Sequence, residues 1–165
     1  MVHAFEIVDN EETTRDVIDA TIEFVKRTTA PAYQASLRRA LPEATAAAHV
    51  ASGNFAAAAV SYAELVKAKP DDARLRLSYG EALLGASQFA DACSELEKLK
   101  GKGLGPRDLG VPAARACMQK GDAEAALAWL KSIPQRYLPR SLEKDPIFAP
   151  IQNRPEFKAL FQTGG

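Results

Sequence analysis

The chain has little of what enzymes and metal proteins are usually built from. Its 165 residues include two histidines, His3 and His49, two cysteines, Cys93 and Cys117, and one tryptophan, Trp129. No G-x-S-x-G, H-E-x-x-H or dinucleotide-type glycine fingerprint occurs, so nucleophilic, zinc-hydrolytic and nicotinamide chemistry have no support in the residues. His49, Cys93 and Cys117 lie far apart in the sequence, whereas zinc sites usually take their ligands in close-spaced pairs. The two cysteines make no disulfide framework and read as small apolar packing residues. His49 reads as a core or half-buried histidine. No catalytic residue, no cofactor and no metal is expected.

Charge of one sign is missing too. Twenty-one basic and twenty-one acidic residues cancel, so no net field draws nucleic acid or an anionic membrane. No apolar run approaches the roughly eighteen residues of a membrane helix. The first twenty residues are acidic and hold no apolar run of signal-peptide length, so the expected location is cytoplasmic. The cancellation hides an asymmetry. Residues 1–30 carry seven acids against three bases, and residues 131–165 carry six bases against three acids. The two ends should attract one another, within a molecule or between two.

What the chain does have is alanine and a period. Gly53-Asn54-Phe55, Ala58 and Tyr62 are followed 34 residues on by Ser87-Gln88-Phe89, Ala92 and Leu96, and 34 further by Gly121-Asp122-Ala123, Ala126 and Leu130. Helical spacing predicts helices over 11–28, 43–52, 55–68, 73–86, 88–100, 109–120 and 123–133. Asp9 or Asn10 would cap the first of these, after an apolar lead-in over 3–8. A short helix over 35–39 is expected, with Pro42 in the first turn of the next. Ala58, Ala92 and Ala126 mark points where helices cross closely, and a larger side chain there would cost roughly 1–3 kcal/mol. Gly80 should face its own partner helix, which would explain its helix penalty of about 1 kcal/mol.

Gly101 to Pro106 reads as a loop, and without a preceding strand it is no phosphate cradle. After Pro139 the pattern changes. Asp145-Pro146 and Arg154-Pro155 read as helix starts. Leu142, Ile147, Phe148, Ile151, Phe157, Leu160 and Phe161 would close the end of the stack, and Trp129 would anchor the third unit to this tail.

Over residues 39–139 the chain resembles the tetratricopeptide-repeat (TPR) family, whose repeat is a 34-residue helix–turn–helix. Gly53, Phe55, Ala58, Tyr62 and Pro70 carry the likeness in the first copy. Gly80, Leu83, Phe89, Ala92 and Leu96 carry it in the second, and Gly121, Ala126 and Leu130 in a weaker third. The segment Asp145-x-x-Phe148-x-x-Ile151-x-x-x-Pro155-x-Phe157-x-x-Leu160 resembles the end-of-group segment that closes many bacterial repeat arrays. The resemblance implies an all-α fold, a right-handed α-solenoid of about three repeats with N- and C-terminal capping helices. Residues 1–38 would cap it or occupy its groove, 39–139 form the repeats, and 140–165 form the C-terminal cap.

It also implies a non-catalytic adaptor or scaffold that binds another protein's peptide or amphipathic helix in a concave groove. By register that groove is lined by Glu43, Ala47, Val50 and Ala51, then Arg74, Leu77, Glu81 and Leu84, then Val111, Arg115, Met118 and Gln119. The lysine and asparagine pairs with which chaperone-binding members clamp a C-terminal carboxylate are absent. The alternative is structural: a weak homo-oligomer joined through the acidic N-terminal helix and the basic tail. Neither nucleic acid nor membrane insertion is expected.

Overall fold

The computed structural model describes residues 11–162, and of residues 11–15 and 32–40 the backbone alone. The expected lead-in and cap over 3–10 lie outside the described residues. The chain divides into two compact units, Met1–Leu41 and Pro42–Gly165. Among the described residues all regular structure is helical and no strand occurs. No helix there is long and apolar enough to cross a membrane.

In the first unit, α1 (Glu11–Thr29) carries Val17, Ile18, Ile22, Phe24 and Val25, each between 44% and 61% exposed. Thr21, Thr28 and Thr29 turn their hydroxyls back onto main-chain carbonyls of the preceding turn. Helix α2 (Pro31–Ala51) begins here and continues into the second unit. The sequence predicts a helix break ahead of Pro42, but α2 runs through it. Proline forfeits one backbone hydrogen bond. Ala40, Ala44, Ala46, Ala47 and Ala48 surround it, and the strongest helix former offsets much of that loss.

The second unit is a succession of helices: α3 (Phe55–Ala68), α4 (Ala73–Gly85), α5 (Phe89–Glu97), α6 (Pro106–Lys120) and α7 (Ala123–Ser132). Each touches the next, and α4 also touches α6. The turns ahead of α3, α5 and α7 are copies of one another. Gly53, Ser87 and Gly121 all adopt positive φ, at 75°, 61° and 95°. Their N–H groups donate to Val50, Leu84 and Met118, and the next N–H in each turn donates to His49, Leu83 and Cys117. This doubled bond satisfies carbonyls that a helix end leaves open. Asn54 and Asp122 then cap the following helix with a side-chain oxygen, whereas Gln88 makes no such bond.

Ser87 is the one non-glycine residue with positive φ among those described, a conformation in which a Cβ is penalised. Ser87→Gly is therefore expected to raise stability by about 0.5 kcal/mol, seen as a higher urea midpoint at unchanged slope. A lower midpoint would show that the serine hydroxyl contributes more than the strain costs.

Behind the turns the buried small residues also recur. Ala58, Ala92 and Ala126 are each 0% exposed. Ala46, Gly80 and Ala114 stand opposite in register and are likewise buried. A Cβ placed on Gly80 would meet Leu96 of α5 at 2.5 Å, so the expected approach to its own partner helix is present. Gly85 supports Phe55 in the same way, with a built Cβ 2.5 Å from the ring. Arg76 of α4 is held by Glu95 of α5 (2.5 Å) and by the Pro70 carbonyl. Burial pushes the Glu95 carboxyl up, but hydrogen bonds from Lys98 and Arg76 outweigh it and leave its pKa below the ordinary value.

The tail folds as short 3₁₀ segments, Gln135–Tyr137, Arg140–Lys144 and Pro146–Ile151, followed by α8 (Pro155–Ala159). Both expected proline starts are there. Leu142, Phe148, Ile151 and Phe157 are at most 1% exposed and belong to the same core as α3–α7. The Phe148 and Phe157 rings lie 5.9 Å apart, and Phe157 and Phe161 5.2 Å. Asp145 caps the 146–151 segment through the Ile147 N–H and accepts Arg115 of α6 at 2.7 Å. Trp129 is 7% exposed, and its ring takes the Lys100 ammonium at 5.7 Å, so it packs toward the end of α5.

Candidate functional site

The residues assigned to a groove by register form three rows across α2, α4 and α6. Glu43, Leu77 and Val111 make one row, Ala47, Glu81 and Arg115 a second, and Val50, Leu84 and Met118 a third. Within each helix the members stand four and then three residues apart, which places them on one face.

Exposure falls along the second and third rows. In the third, Val50 is 38% exposed, Leu84 half-buried, and Met118 only 8% exposed and part of the core. In the first row Glu43 and Leu77 are half-buried, as is Val111. Ala47, Ala51, Arg74, Glu81 and Gln119 are exposed. Most of the open part therefore belongs to α2 and α4, while α6 offers the half-buried Val111 and the exposed Gln119.

Two of the charged members are already engaged. The Glu43 carboxylate accepts Lys69 from the end of α3 at 2.6 Å. Arg115 is bound to Asp145, and its Nε is enclosed with no acceptor. Arg115 thus ties α6 to the tail. Both partners lie 26 to 30 residues away in sequence, which register alone does not reveal.

Glu81 is different. No ion pair reaches it among the described residues, and its carboxyl pKa lies above the ordinary 4.5, first through desolvation and then through the nearby charge of Asp108. The residue is exposed, so the carboxylate meets water on one side and crowding protein on the other. Asp108 was not among the expected lining residues. A signal existed, since it stands 34 residues after Arg74 and so shares its place in register. Leu77 and Leu84 flank Glu81 on the same face of α4, giving an apolar strip with an unpaired negative centre.

The cysteines correct the sequence reading. Cys93 of α5 and Cys117 of α6 are not independent packing residues but form a disulfide, with Cα atoms 4.9 Å apart. That separation suits the bond. A carboxylate oxygen of Glu97 and the two sulfurs lie within 4.8 Å of one another, yet joined sulfurs are not the thiolates a metal requires. His49 is half-buried near the end of α2.

A second depression is lined by Glu97, Lys100, Ala125, Ala128, Trp129 and Ser132, between the end of α5 and α7. Its polar groups are Glu97, Lys100 and Ser132, and the Ser132 hydroxyl donates to the Trp129 carbonyl. Comparison with protein-family models, with curated proteins and with solved structures found no match to this chain.

Proposed function

We propose that the chain is a non-catalytic protein-binding module of the tetratricopeptide type: about three helix–turn–helix repeats, capped by helices at either end, with a face that takes an amphipathic helix. The single observation that carries this is the turn at Gly53, Ser87 and Gly121, repeated with the same two hydrogen bonds at 34-residue intervals. On this reading α2, α4 and α6 are the first helices of their repeats and present Val50, Leu77, Leu84 and Val111 to a partner.

The charge on that face selects the partner's chemistry. Glu81 and Asp108 crowd one another without a cation. The folded chain therefore holds the Glu81 proton more tightly than the unfolded chain between pH 4.5 and the raised value. Above that window its ionisation costs stability, and this cost is relieved as pH falls. A lysine or arginine on the partner would offset it. The preferred ligand is an amphipathic helix with an apolar stripe beside a basic residue.

Selection from a display library of helical peptides tests this. Apolar residues at i, i+3 or i+4 and i+7 next to Lys or Arg should be enriched. Glu81→Gln should weaken the selected peptides about five- to tenfold with no loss of folded stability at neutral pH. Their affinity should also fall as pH is lowered through the Glu81 pKa. Enrichment of acidic peptides, or indifference to Glu81→Gln, would refute the assignment.

A second reading is favoured by one observation of its own, the exposed Val17–Val25 stripe of α1 beside Asp16, Asp19 and Glu23. An acidic amphipathic helix suits the basic tail of a second copy better than the acidic face around Glu81. Sedimentation at low and high salt separates the two readings: a monomer under every condition removes self-assembly.

A further inference from the structure

We propose that the Cys93–Cys117 disulfide is a redox-operated lock on α6. Helix α6 is built to need one. It starts at Gly105-Pro106 with no side-chain cap, whereas α3, α4 and α7 each have one. Pro112 sits inside it and removes the backbone bond that would return to the Asp108 carbonyl. The chain leading into it is exposed from Lys100 to Gly103, and Gly101 and Gly103 both have positive φ. The first half of α6 therefore relies on packing of Leu109, Gly110, Ala113 and Ala114.

The disulfide holds the second half to α5 across a separation of 24 residues, and that span contains all of the weak segment. Both cysteines are 0% exposed. A reductant therefore reaches the bond only through a local opening of the fold.

The chemistry balances with a dithiol as reductant. Its thiolate attacks one sulfur, the Sγ–Sγ bond breaks, and the second dithiol sulfur displaces the mixed disulfide. Two electrons and two protons pass to Cys93 and Cys117, and the dithiol leaves as its own disulfide. A small-molecule disulfide reverses the reaction.

Opening α6 would also loosen the Arg115–Asp145 link to the tail and withdraw Val111 from the binding face. This second consequence rests on the proposed function, while the lock itself does not. Hydrogen exchange on the full chain, oxidised and then dithiol-reduced, tests the lock. Amides of 106–120 should exchange at least about tenfold faster after reduction, and re-oxidation should restore protection. Cys93→Ala with Cys117→Ala should reproduce the reduced pattern without any reductant; alanine already occupies the register position of Cys93, at Ala59.

Equal exchange in both redox states, with the disulfide confirmed by mass, would overturn the lock. Affinity for a selected basic helical peptide gives a separate reading. A fall of about fivefold on reduction supports control of the binding face. Faster exchange with unchanged peptide affinity would leave the lock standing and overturn its coupling to that face.

Discussion

Phe148→Ala is expected to destabilise the protein by about 3–5 kcal/mol, the range for deleting a buried aromatic ring. Phe148 is 0% exposed and sits 5.9 Å from the Phe157 ring. Its 3₁₀ segment touches α6, and Asp145 at the head of that segment holds Arg115. The cavity would open where the tail, α6 and the main core meet, with little flexible chain to refill it. Thermal and urea unfolding should both show the loss, with a melting point lower by about 10 °C. A loss below about 1 kcal/mol would mean that the tail is an appendage. Leu142, Ile151 and Phe157, each at most 1% exposed, would then also contribute little.

Met118→Glu should cost at least about 3 kcal/mol, because it places a carboxylate where an apolar side chain packs in the core. Met118 is 8% exposed and packs in the main cluster. Leu77→Asp, on a half-buried side chain, should cost about 1 kcal/mol and leave a folded chain. Urea midpoints of the two variants check this directly. The pair also tests the proposed binding face, since only the folded Leu77→Asp variant can report lost affinity for a basic amphipathic helix. If Met118→Glu folded as well as wild type, α6 would be more open than its burial indicates, and the third row would reach solvent.

Much of the second unit was legible in the sequence because its signals are local. A left-handed residue, a capping oxygen at Asn54 or Asp122 and a small residue at Ala58, Ala92 or Ala126 act within one turn or one crossing. The register that aligns them also locates Gly80 against Leu96. The rows proposed as a binding face were half legible. Their helical spacing is a property of the chain, but the depth of Met118 and the pairing of Arg115 with Asp145 depend on the tail, which register does not include. The Pro42 break failed for a local reason, namely the alanines on both sides of it.

By itself, the sequence determined the helical class, the repeated turns ahead of α3, α5 and α7, and the residues that must stay small. These follow from turn geometry, capping and side-chain volume, which act over a few bonds. Only the tertiary structure decided that Cys93 and Cys117 are joined, that Glu43 and Arg115 are occupied, and that Glu81 meets no cation among the described residues. The pairings depend on which side chains meet across 24 to 30 residues of chain. No local preference encodes such meetings. They arise when packing of the helices brings distant positions within bonding distance.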